Sequence, residues 1–241
     1  MMKRIFCLVL AAMMLLGATA AAEGELRGYT KEDGYVYVNL GSYPQTAEGG
    51  VLPILWRVLA VEDDQAYLCS EYVLFARPMH PDYTEYKTIG KDFGQTELCQ
   101  YLNGEFSDTA FTEDELALLV PYLTYGKVFL LDAEDLKSTA MGMGNGNPLK
   151  GWATDYAKAN GVFVYMYTSG SHSPYWVRNQ STTDVRHARC TKSDGTVGHI
   201  VADRDNEGVR PAVYLDLTLA EISGGSGTMD DPYTLALPEA E

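Results

Sequence analysis

Positive charge is scarce in this chain: 18 Lys and Arg stand against 33 Asp and Glu over 241 residues, a formal net charge of −15. Such a surface repels nucleic acid and anionic lipid, so no nucleic-acid partner is expected. Cysteine is scarce too. Cys7, Cys69, Cys99 and Cys190 include no CxxC pair and no His/Cys spacing suited to zinc. No Gly-x-Ser-x-Gly elbow occurs, which argues against a hydrolase of that type. Glycines at 142, 144, 146 and 151 lack the Gly-Lys-Ser/Thr ending of a phosphate loop and read as a surface loop. Internal repeats are absent. No stretch after the N-terminal region is long and apolar enough to cross a bilayer, so membrane insertion is not expected.

The N-terminal region reads as an address. Lys3 and Arg4 precede the apolar run Ile5 to Leu16, and small residues follow. That pattern predicts a signal peptide over 1–22, a mature start near Ala21 to Glu23, and a secreted or cell-surface location. Its removal leaves 16 basic residues against 33 acidic ones, a net charge near −17. No cysteine stands at the cleavage point for a lipid anchor. The rest suits one domain over 25–220. A Gly/Ser linker and C-terminal tail are expected over 221–241. Cys69, Cys99 and Cys190 are an odd set, so they cannot all pair within one chain. Cys69 and Cys99 read as small buried hydrophobes.

Strand signals dominate. Tyr35 to Leu40 alternates, Ile54 to Val61 is apolar apart from Arg57, and Glu62-Asp63-Asp64 predicts a hairpin turn into AYLCS. Pro78 to Gly94 reads as a loop. Helices are predicted over Thr96 to Phe106, from Thr112 with Glu115 as a capping box until Pro121, from Asp132 through Lys137, and over Ala153 to Ala159. Val128 to Leu131 and Val162 to Tyr167 read as strands, the latter leading into the central sheet. From Tyr175 to Leu215 short apolar runs alternate with polar turns, which predicts a closing antiparallel sheet. Arg178 and Arg210 lie in or beside these strands. A guanidinium there needs carboxylate or carbonyl partners. Arg57 and Arg210 are expected as structural pins, with Asp184 or Asp203 as carboxylate partners for Arg210.

GSYPQT before ILWRVLAV, then ELCQYLNGEF, AFTEDE, KVFLLDAEDLK, TDYAKANG, YWVRN and GVRPAVYL occur in one order from Tyr35 to Leu217. This ordered set resembles a secreted bacterial family of domains of unknown function, DUF6273-like. The closing GSGTMDDPYTL resembles a tail common in secreted bacterial proteins. The resemblance implies an α+β, C-type-lectin-like fold, with antiparallel sheets and a few short helices, related to the formylglycine-generating enzymes. Those enzymes bind copper through a close cysteine pair near the last strands. Here Cys190 stands alone, so the resemblance supports the fold and argues against that oxidase chemistry.

Candidate site residues are few. Asp203, Asp205, Asn206 and Glu207 form an oxygen-rich turn of the kind calcium favours. The lectin signatures Glu-Pro-Asn and Trp-Asn-Asp are missing, so a solvated turn is the expectation and no cofactor is assigned. His172, His187 and His199 could meet Cys190, though no pair has motif spacing. The 17 tyrosines and three tryptophans suit stacking on sugars or peptides, and equally suit strands. The ligand-binding candidates are His172, Tyr175, Trp176, Arg178, Asp203, Asp205, Asn206 and Glu207. Loops Thr168 to Pro174, Gln180 to Arg189 and Asp203 to Glu207 are expected to gather at one end of the sheet. The expectation is a binding or adhesion module for a glycan or protein ligand. The alternatives are an enzyme of formylglycine-generating type with altered chemistry, or a structural envelope protein.

Overall fold

A computed structural model describes residues 26–144, 146–167 and 170–236. The expected signal peptide and the last five residues lie outside them. In chain order the strands begin with β1 (Val36–Pro44), β2 (Val51–Glu62), β3 (Gln65–Ser70), β4 (Tyr72–Val73) and β5 (Phe75–Ala76). Helices α1 (Tyr83–Ile89), α2 (Glu97–Tyr101), α3 (Ser107–Ala110) and α4 (Glu113–Ala117) follow. Then come β6 (Leu119–Val120), β7 (Val128–Phe129), β8 (Trp152–Ala153), α5 (Asp155–Ala159), β9 (Tyr165–Tyr167) and β10 (Gly170–His172). The chain continues as β11 (Tyr175–Gln180), β12 (His187–Thr191), β13 (Val197–Val201), β14 (Gly208–Val209), β15 (Ala212–Asp216), β16 (Glu221–Gly224) and β17 (Thr234–Ala236).

These elements make a mixed α/β fold of mostly antiparallel, curled sheets with short helices. One sheet runs β1-β2-β3-β15-β6, with β7 also paired to β15. The other runs β13-β12-β11-β14-β5. Trp56, Leu68, Phe106, Trp176 and Val213 are fully buried in one shared core. Local chemistry sets many of the boundaries. Asp63 and Asp64 both take positive φ, 48° and 59°, which suits a tight hairpin between β2 and β3. Gly41 (φ 66°) sits at the β1 register shift, where a Cβ would come within 2.7 Å of the Phe111 ring, so only glycine fits. Thr112 accepts from the Glu115 amide at 3.2 Å, and the Thr112 amide donates to the Glu115 carboxylate at 2.8 Å, the capping box expected at α4.

Several expectations change in three dimensions. The segment Pro78 to Gly94 contains α1, started by Asp82, whose carboxylate accepts from the Thr84 amide at 2.7 Å. The helix expected over Thr96 to Phe106 runs on through a wide turn at Gly104 to Ala110. Helix α4 stops before Pro121, because Leu119–Val120 are taken up as β6 against β15. Asp132 caps only a short 3-10 turn, Asp135–Lys137. Hairpin β9–β10 stands apart as a two-stranded sheet instead of entering a central one. GVRPAVYL is not one strand. β14 lies parallel to β11, and β15 crosses into the other sheet, because Pro211 has no amide hydrogen to continue a ladder. The expected linker is docked over its described part: β16 and β17 pair, and Tyr233 exchanges backbone bonds of 2.9 Å with Tyr37 and Asn39 on the edge strand β1.

Candidate functional site

The structure closes most of its buried charges with partners from the chain. Arg57 on β2 makes a bidentate pair with Glu71, at 2.7 and 2.6 Å, under the Tyr35 ring. Arg178 on β11 donates to the Leu130 carbonyl at 2.6 Å and the Asp132 carboxylate at 2.5 Å, with Asp135 at 3.5 Å. Arg77 pairs bidentately with Glu97. These interactions join segments far apart in sequence and fix one sheet against its neighbouring turns.

Arg210 and Glu207 depart from that pattern. Arg210 is 1% exposed at the crossover between the two sheets. Its Nε donates to the Ser70 carbonyl at 3.0 Å, and its guanidinium lies 4.8 Å from the centre of the Tyr175 ring. Both Nη atoms are without a hydrogen-bond acceptor. The carbonyl partner matches one of the two expected kinds. The carboxylate expectation is corrected, because Asp184 is held by Arg186 and Asp203 makes no pair with Arg210.

Glu207 stands immediately before β14 and is 3% exposed. Its backbone carbonyl accepts from the Arg77 amide at 3.2 Å, and the next amide, of Gly208, donates to the Pro174 carbonyl at 3.1 Å. Those two bonds point its side chain inward, where Cys190 of β12 lies against it. Burial lifts the Glu207 carboxyl from an ordinary 4.5 up to about 7, while the Cys190 contact and the charge of Arg204 hold it down. Burial and Glu207 together push the Cys190 thiol well above its usual value. At neutral pH that thiol is protonated, which makes it a poor nucleophile. Glu207 Oε1 and Asn206 Oδ1 are buried with no hydrogen-bond partner.

Both residues line a cavity of about 340 Å³ between the β9–β10 hairpin, β12, β13 and the turn into β14. Phe163 and Tyr165 form its rim, 40% and 47% exposed. The Phe163 amide donates to the Asn206 carbonyl at 2.8 Å, so the aromatic rim is tied to the polar floor. Ile200 supplies an apolar wall, and Lys192, Asp194, His199 and Arg204 stand around the opening. A wider cavity, about 570 Å³, lies beside Trp152, but its glutamate, Glu71, is already closed by Arg57.

The anticipated binding residues divide between core and cavity. Asn206 and Glu207 line the cavity. Tyr175 and Trp176 are buried, and the Trp176 indole donates to the Arg77 carbonyl at 2.7 Å. Arg178 is closed by its carboxylates. His172 is buried against Trp152, ring centres 4.4 Å apart, and burial with the charge of Lys150 lowers its pKa. Asp203 is half-buried and Asp205 exposed, and neither lines the cavity. Among the described residues no three His, Cys, Asp or Glu side chains come together as metal ligands. His187 and His199 do meet, Nδ1 to Nδ1 at 2.8 Å, across β12 and β13. The three loops do not share one end. β11 carries the chain across its sheet, so the turn after Gln180 lies at the opposite end from Pro174, and Gln180, Ser181, Thr182 and Val185 line another cavity. Phe163 and Tyr165 were legible as same-side residues of an alternating run, but nothing local marked that side as the outside.

Among family models, the one described as Domain of unknown function (DUF6273) matches residues 63–217, more than half of the chain. No curated protein and no solved structure matches.

Proposed function

We propose that this chain, which belongs to the family described as Domain of unknown function (DUF6273), is an exported, C-type-lectin-like binding or adhesion module that takes a glycan in the Glu207 cavity. The mature protein is secreted or held at the cell surface after loss of residues 1–22, and its domain spans 25–220. One observation carries the reading. Two buried acceptors, Glu207 Oε1 and Asn206 Oδ1, have no partner at the floor of a cavity whose rim offers two exposed aromatic rings. A sugar supplies both halves of the complement. Its hydroxyls donate to the floor, and its C–H faces stack on Phe163 and Tyr165. The volume lies in the range of small-ligand sites.

A glycan array probed with the exported chain tests this. Retention on glycans is expected, weakened at least about tenfold when Phe163→Ala and Tyr165→Ala are combined, given what such stacking contributes. Absence of retention, or retention indifferent to both changes, would overturn it. The runner-up is an enzyme of formylglycine-generating type with altered chemistry. The Cys190–Glu207 contact inside a cavity favours it, since a carboxyl titrating near neutrality can move protons. Turnover lost in Cys190→Ser would select that reading.

A further inference from the structure

We infer that the buried end of the ligand is an ammonium group, so that the Glu207 cavity takes an amino sugar with its amine free. This rests on the glycan reading and narrows it to one substrate class. Two carboxyl side chains are buried among the described residues, Glu71 and Glu207. Glu71 has both oxygens on the Arg57 guanidinium. The part-buried carboxylates Asp132, Asp135 and Glu97 also have guanidinium partners. Glu207 has no ion pair among the described residues, and one of its oxygens has no hydrogen bond. The neighbours that bear on it are Cys190 from β12, a neutral thiol, and Arg204 from the β13–β14 turn, which is exposed. Lys192, Asp194 and His199 also line the cavity.

A sugar hydroxyl satisfies an acceptor, but it does not offset the cost of ionising a carboxyl removed from water. An ammonium does both. It brings three donors for two orphan acceptors and supplies an ion-pair partner that no described residue provides. The rim rings then meet the sugar faces, and their π-faces are compatible with a nearby cation. The whole chain's negative charge draws cationic ligands toward it. Exposed Lys192 and Arg204 work against that attraction.

The experiment is titration calorimetry with three oligosaccharides of equal length: glucosamine, N-acetylglucosamine and glucose oligomers. Wild type and Glu207→Gln are compared near neutral pH. The glucosamine oligomer is expected to bind wild type at least about tenfold more tightly than the other two, and Glu207→Gln to erase that preference. Phe163→Ala is expected to weaken binding of the glucosamine oligomer without removing its preference. Equal affinities in wild type would overturn the ammonium inference and leave the glycan reading standing. A preference that survives in Glu207→Gln would overturn it as well. No binding of any oligomer would overturn the inference and count against the glycan reading together. The wild-type comparison stands even if Glu207→Gln fails to fold.

Discussion

Glu71 and Glu207 are the same residue type at nearly the same exposure, 5% and 3%, and each borders a cavity. Their surroundings differ in one respect. The chain pairs Arg57 with Glu71, and among the described residues no cation forms an ion pair with Glu207. At Glu71 the fold has completed an electrostatic unit, and the cavity beside it is only space. At Glu207 the unit is left open toward a cavity, as befits a place where something else is to complete it. Burial of a charge therefore does not by itself distinguish structure from site; a missing partner on the wall of a cavity points to a site.

Replacing each carboxyl by its amide should break this pair of cases in opposite directions. Glu71→Gln leaves the Arg57 cation buried without a counter-ion, and should cost about 3–5 kcal/mol in chemical denaturation. Glu207→Gln should do the reverse above neutrality. The folded carboxyl titrates near 7, above its unfolded value of about 4.5. Folded protein therefore holds a proton that unfolded protein has already released. The stability contributed by that proton is fully present below 4.5 and is lost as pH rises through 7. Glu207→Gln removes the loss, so it should stabilise by about 3 kcal/mol at pH 8 and by almost nothing at pH 4. Melting curves at the two pH values check this. A variant less stable than wild type at pH 8 would return Glu207 to the class of Glu71.

Arg210 is the mirror case, a buried cation without a carboxylate, and it sharpens the comparison. Arg210→Ala opens a cavity and orphans the Ser70 carbonyl, but it also removes an uncompensated charge. A net cost on the order of 2 kcal/mol is expected, less than at Glu71. Arg210→Met keeps the volume and should melt within about 1 kcal/mol of wild type. A loss equal to that of Arg210→Ala would show that the guanidinium itself is needed. The smallest effect belongs to the rim: Phe163→Ala should change stability by no more than about 0.5 kcal/mol while lowering glycan retention.

Legibility followed the range of the interaction. The capping box of Thr112 and Glu115 lies within four residues, and so does the Asp63-Asp64 turn. Both could be read directly. Asp82 with Glu85 three residues on was an equally local signal for α1, masked by the prolines and tyrosines around it. An arginine inside an apolar strand must find a partner, and Arg57 finds Glu71. The candidate site was legible only in part. The oxygen-rich turn drew attention to Asn206 and Glu207 for its count of oxygens, not for the burial that sets Glu207 apart. The aromatic pair that opens YWVRN was expected on the ligand side, yet a strand's alternation does not say which faces are covered, and here Trp176 and Tyr175 are buried in two different apolar clusters.

The residues alone determined the family, the predominance of strands, the turns and caps between them and the acidic surface, since each depends on composition or on neighbours a few positions apart. Tertiary structure alone decided that Pro211 divides one apolar run between two sheets. It also decided that Glu207 is buried beside a cavity between segments around 163, 190 and 207, with no ion pair among the described residues. Burial and charge pairing are sums over chain segments distant in sequence, and such a sum exists only once those segments have come together.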